Sequence, residues 1–149
     1  MELIEFPSDF SEFLRLLNVH DVDYLLVGGF AVALHGYPRA TADIDVWVAR
    51  RADNATRIVA ALREFGFDLP SLTEDLFLEP DRIVRMGVAP LRIEILMDID
   101  GVDFDDCGKN SIVRMVDGCP IPVIGLEDLK ANKRASGRNK DLADLDNLP

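Results

Sequence analysis

The sequence predicts a mixed α/β (α+β) fold, a small mixed β-sheet flanked by helices. Segments with the 3.6-residue periodicity of amphipathic helices alternate with short aliphatic and β-branched runs. A hydrophobic share of 48%, with eight Phe, is enough to fill a core and argues against disorder. The length of 149 residues, without a linker or an internal repeat, fits one domain over 1–149.

The elements follow in order. Ser8 or Asp9 can cap a first helix in which Phe10, Phe13, Leu14 and Leu17 share one face, ending near Val19. "DYLLVG" is a short apolar strand. Gly28 and Gly29 then let the backbone turn sharply into a helix over Phe30 to His35, which Gly36 and Pro38 stop. "TADIDVWVA" is a second strand, rich in sheet-favouring residues. Asp53 is expected to cap a helix that buries Ile58, Ala61, Leu62 and Phe65 and ends at Gly66. After an irregular acidic stretch from Leu69 to Pro80, "RIVRMGV" and "LRIEILMDI" are strands joined by a turn around Ala89 and Pro90. "SIVRMV" and "IPVIG" flank Asp117-Gly118, a dipeptide suited to a tight hairpin. Two helices, "LEDLKANKRAS" and "KDLADLDNL", close the chain on either side of Gly137.

Charge narrows the function. A formal net charge of −11 repels polyanions, so an extended DNA or RNA surface is not expected. The start "MELIEFPSDF" lacks the basic flank and apolar run of a signal peptide, and no apolar run approaches the ~20 residues of a membrane helix. A cytoplasmic location is expected. Cys107, Cys119, His20 and His35 lack the spacing of a zinc site, and His35 is read as a core or helix-end histidine.

The chemistry concentrates in "LLVGGFAVALHGYPRATADIDVWV". Alternation along a strand puts Asp43 and Asp45 on one side and Ile44, Val46 and Val48 on the other. Two carboxylates about 7 Å apart repel each other, increasingly so as water is excluded, and a divalent cation is one way to compensate them. Exposed amides at a strand–Gly-Gly–helix turn form a natural phosphate cradle. Glu94, mid-strand between Ile93 and Ile95, offers a third carboxylate, with an ion pair to Arg92 or exposure at an edge strand as the alternatives. Asp98 and Asp100 stand at or beyond that strand's end. Leu126, Leu129 and Lys133 fall at i, i+3 and i+7, which turns Lys133 inward, where it needs an anion. A bound triphosphate would serve, and so would an ion pair with Asp141 or Asp144.

Gly28-Gly29, thirteen residues, then Asp43-Ile44-Asp45 resembles the signature of the nucleotidyltransferase superfamily, Gly-Gly or Gly-Ser followed by Asp-x-Asp or Asp-x-Glu. "GLEDLKANKRASGRNKDLADL" extends the resemblance, from about Asp23 to Leu145, toward a bacterial branch related to abortive-infection nucleotidyltransferase-like toxins. The resemblance implies a polymerase-beta-like fold and a nucleoside triphosphate donor. It also implies two catalytic ions, Mg2+ or Mn2+, held by three carboxylates, here Asp43, Asp45 and Glu94, where relatives often carry Asp in the last position. Gly28, Gly29, Arg39, Thr41, Lys133 and Arg138 are the expected nucleotide contacts, Arg138 matching the branch's Gly-Arg-x-Lys-Asp motif. The expected reaction moves a nucleoside monophosphate to a hydroxyl of a protein, a small molecule such as an aminoglycoside, or a tRNA end. A toxin–antitoxin pair with a small helical partner protein is one setting. The alternative is a non-catalytic relative that uses the cleft to bind nucleotide or a partner.

Overall fold

The computed structural model of the protein describes residues 8–39, 41–88 and 92–149, the Ser8 side chain excepted. The expected cap at Ser8 and the turn at Ala89 and Pro90 lie outside the described residues. The elements run α1 (Ser8–Val19), β1 (Tyr24–Val27), α2 (Gly28–Leu34), β2 (Asp43–Val48) and α3 (Ala52–Phe65). A 3-10 turn (Glu74–Phe77) leads to β3 (Ile83–Met86) and β4 (Arg92–Leu96). Then come α4 (Phe104–Lys109), β5 (Ile112–Val116), β6 (Cys119–Val123), α5 (Leu126–Ser136) and α6 (Asn139–Asn147).

The strands form one mixed six-stranded sheet in the order β3-β4-β2-β1-β6-β5. β2 pairs parallel with β4 and β1 pairs parallel with β6, while the β1–β2, β3–β4 and β5–β6 pairs are antiparallel. The inner strands are the apolar ones. All four residues of β1 are buried, as are Ile44, Val46 and Val48 of β2 and Ile93 and Ile95 of β4, which fits strands with neighbours on both edges. Phe13 of α1 packs against Phe65 of α3 with ring centroids 5.6 Å apart, and Phe10 meets Phe30 of α2 edge-on at 5.7 Å.

Three local expectations need correction. Asp53 does not cap α3: the cap position is Arg51, and Asp53 lies in the first turn, paired with Arg51 and Arg57. The entry to α3 is held instead by the fully buried Asn54, whose side-chain oxygen accepts from the Asp23 amide (2.7 Å) and whose amide donates to the Asp23 and Ala49 carbonyls (3.0 and 2.8 Å). α2 begins at Gly28, before Phe30, because the turn is made within its first residues, with φ +69° at Gly28. β6 starts at Cys119, two residues before "IPVIG". Asp117 (φ 49°) and Gly118 (φ 77°) form a two-residue hairpin loop with both central residues left-handed, so Val116 and Cys119 pair at once. α4 was not expected; its six residues are too few to show a period, though Asp103 caps it by accepting from the Asp106 amide.

Candidate active site

The register of β2 and β4 brings the acids together. Asp43 lies opposite Arg92 and Asp45 opposite Glu94, so three carboxylates occupy one stretch of two neighbouring strands. On β1, Val27 is the register partner of Asp45, and the turn at Gly28 follows directly. A Cβ on Gly28 would overlap the Asp45 carboxylate, so this position requires glycine both for its φ and for its closeness to the acid. At Gly29 a Cβ would sit 2.8 Å from Thr41 Oγ1 and 3.4 Å from Arg39 Nη1. The Gly-Gly turn is thus packed against the residues expected to serve it.

Charge in this corner is uneven. Burial, with Glu94 and Asp43 close by, pushes the Asp45 carboxyl up to about 7, and Lys140 opposes the rise. Asp45 Oδ1 is buried without a hydrogen-bond partner. Burial is the largest influence on Glu94 and acts to raise it, but the hydrogen bonds with Arg85 and Asp45 and the charges of Arg85 and Arg92 together hold that carboxyl below its ordinary value. Arg85, the register partner of Glu94 on β3, donates through Nε at 2.9 Å, and Arg92 comes within 3.8 Å of Asp43. The expected alternative partner of Glu94, Arg92, therefore approaches Asp43 instead.

These residues open onto a cleft of about 640 Å³. Its lining includes Gly28 and Gly29, the basic groups Arg39, Arg85, Lys133, Arg138 and Lys140, the apolar Ile83, Leu96 and Ile99, and the acids Asp81, Asp98 and Asp100. α5 is tied to Asp100: Asn132 Nδ2 donates to the Asp100 carbonyl (2.9 Å) and Ser136 Oγ to the Asp100 carboxylate (3.1 Å).

Two buried acids, Asp141 and Asp144, hold three of the basic groups. Lys133 Nζ lies 3.1 Å from both Asp141 Oδ1 and Asp144 Oδ2. Arg39 grips Asp144 through Nε (2.8 Å) and Nη2 (3.0 Å), and Arg138 donates to Asp141 at 2.8 Å. The inward lysine thus has an ion pair while it also lines the cleft. His35 caps α2 and its Nε2 meets the Ile124 carbonyl at 2.6 Å, a helix-end role.

The donor set suits a hard divalent cation: carboxylate oxygens only, one of them buried and unpartnered beside a glycine turn. Among the described residues no three His, Cys, Asp or Glu groups are gathered into a ready ligand cage. Arg85 and Arg92 supply counter-charge to two of the three acids. All nine expected site residues line the same cleft. Sequence reasoning singled out neither Arg85 nor Lys140, both of which line the cleft. Arg85 could be found only through the β3–β4 register, which no local pattern reveals.

A mixed sheet with a Gly-Gly turn, an Asp-x-Asp strand and a third acid on the parallel neighbour is the arrangement expected from the resemblance to nucleotidyltransferases. The model of the family aminoglycoside-2''-adenylyltransferase matches residues 10–148, and the chain belongs to that family. No curated protein matches it. Among solved structures it is similar to a protein of Thermotoga maritima described as a candidate nucleotidyltransferase (TM-score 0.61, 20% identity, covering 92% of this chain and 88% of that one). It is also similar to the lincosamide antibiotic adenylyltransferase LnuA, solved with lincomycin bound (0.61, 17%, 97% and 96%). A third likeness is to ANT(2'')-Ia in complex with adenylyl-2''-tobramycin (0.54, 12%, 93% and 84%). At these identities the structures establish the fold. Among the described residues no helix is long and apolar enough to cross a membrane.

Proposed function

We propose that the protein is a metal-dependent adenylyltransferase that moves AMP from ATP to a hydroxyl of an amine-bearing small molecule and releases pyrophosphate. The observation that carries this reading is the register of Asp45 with Glu94, with Asp43 two residues along and the Gly28-Gly29 turn beside them. Asp43, Asp45 and Glu94 would hold two divalent ions, Mg2+ or Mn2+. When bound, such ions neutralise phosphate charge and lower the pKa of the acceptor hydroxyl.

The chain's own groups do the remaining work. Gly28 and Gly29 line the cleft where α2 begins, and amides at such a turn suit phosphate oxygens. Arg39 and Thr41 pack against that turn, and Lys133, Arg138 and Lys140 line the same cleft as further cations. Glu94 lines it too, where it can accept the acceptor's proton once Arg85 yields. The acids Asp81, Asp98 and Asp100 in the cleft favour a cationic acceptor, and the family's description points to an aminoglycoside. A small molecule fits this cleft better than a nucleic acid does, given the net charge of −11.

The test is pyrophosphate release from ATP with and without magnesium, across a panel of aminoglycosides and a lincosamide, with mass spectrometry of the products. The expected result is magnesium-dependent addition of one AMP to an aminoglycoside. Failure with every member of the panel at millimolar concentration would remove the acceptor assignment. Failure of ATP to bind at all would remove the donor site as well.

A further inference from the structure

We propose that Asp144, seconded by Asp141, is a positioning residue that aims Arg39 and Lys133 at the triphosphate. The inference rests on the donor-site reading above. Neither acid lines the cleft, and both are nearly inaccessible, at 2% and 1% exposure. The three cations they hold, Arg39, Lys133 and Arg138, all line it.

The geometry of the fork gives the reason. Asp144 Oδ1 accepts from Arg39 Nε and Oδ2 from Arg39 Nη2, so the guanidinium plane is fixed by two parallel hydrogen bonds. The remaining nitrogen, Nη1, then points to the Gly29 turn, 3.4 Å from where a Cβ would stand. Asp144 Oδ2 also holds Lys133 Nζ, and Asp141 shares that ammonium and binds Arg138. Three cations share two carboxylates, so these two acids alone do not neutralise the cations they hold. An ion pair and a phosphate contact are therefore not competing roles for Lys133: the acids take some of its hydrogens and orient the rest. The network also ties α5, α6 and the segment before β2 into one unit, so two acids of α6 that do not line the cleft set the direction of cations that do.

Asp144→Asn separates positioning from charge and from mere packing. Removing a negative charge beside a triphosphate should tighten binding if only net charge matters, and should leave binding unchanged in the folded fraction if Asp144 only packs α6. Positioning predicts the opposite sign: KM for ATP and the Kd of the non-hydrolysable analogue AMPPNP rise by about ten- to a hundredfold, with kcat changed less. Arg39→Lys keeps the charge but loses the fork, and should show a similar KM effect. The double variant should be no worse than the poorer single one, because the two act as a unit. Arg39→Lys stands on its own if Asp144→Asn proves too unstable: unchanged nucleotide affinity there overturns the proposal. Unchanged or tighter AMPPNP binding in folded Asp144→Asn, or full additivity in the double variant, also overturns it. A wild-type protein that binds no AMPPNP overturns the donor-site reading itself, and this proposal with it.

Discussion

At the residue scale the site is a set of charges kept out of balance. Asp45 has its carboxyl raised to about 7 by burial and by Glu94, so the folded protein holds that proton more tightly than the unfolded chain does. The stability associated with the protonated form is present below the ordinary value of 3.8 and is lost as pH rises toward about 7. Asp45→Asn, which cannot ionise, should remove that loss. Without metal, it is expected to be more stable than the wild type at pH 8 by about 1–3 kcal/mol, with little difference at pH 4. Denaturant unfolding at the two pH values measures this. The same substitution should abolish AMP transfer, since an amide keeps the size but not the charge that holds a cation.

Gly28 belongs to the same scale. With φ at +69° and the Asp45 carboxylate against its α-carbon, Gly28→Ala meets both a disfavoured backbone and a clash. A loss of about 2 kcal/mol or more in unfolding free energy is expected, together with loss of activity. A variant with wild-type stability would contradict the close approach described here.

At the element scale, α5 and α6 are joined by charge as well as by packing. Burial acts to raise the Asp141 carboxyl, yet the hydrogen bonds from Arg138 and Lys133 win and hold it below its ordinary value. A depressed carboxylate contributes stability above its unfolded pKa and loses it as pH falls through the folded one, so this contribution should fade in acid, below about pH 4. Asp141→Ala leaves Lys133 buried with one partner and should cost about 3 kcal/mol or more at pH 7. Hydrogen exchange should show the loss first in α5 and α6, whereas uniform loss of protection would contradict the local role given to this network.

This is also the scale at which sequence legibility divides. The Gly28-Gly29 turn, the Asp43/Asp45 alternation and the Asp117-Gly118 hairpin were readable because each is a local rule of backbone conformation or strand period. The inward face of Lys133 followed from helical spacing. Its partners could only be offered as alternatives, because choosing among triphosphate, Asp141 and Asp144 requires knowing how two helices meet. Arg39's hold on Asp144 joins residues 105 apart in the chain, and Arg85's hold on Glu94 depends on the β3–β4 register. Neither leaves a local trace. α4 was missed because six residues containing Gly108 show no period, and Asp53 was misassigned because a capping acid and a first-turn acid look alike in sequence.

At the scale of the whole molecule, the net charge of −11 coexists with a cleft lined by Arg39, Arg85, Lys133, Arg138 and Lys140. Binding to duplex DNA or RNA should therefore be weak at physiological salt, and fluorescence anisotropy with a labelled duplex would show it. Tight, sequence-independent binding would require a basic face absent from this account. On the proposed function, three acids on two parallel strands and a glycine turn form one site for nucleotide and metal.

The most direct measurement is the thermal unfolding midpoint of the wild type and of Asp45→Asn, each with and without magnesium and AMPPNP. A ligand bound only by the native state raises the midpoint by mass action. The wild-type midpoint is expected to rise by several degrees with magnesium and AMPPNP together. The Asp45→Asn midpoint is expected to start higher near pH 8 and not to respond. An equal rise in both proteins, or none in the wild type, would contradict the proposed site.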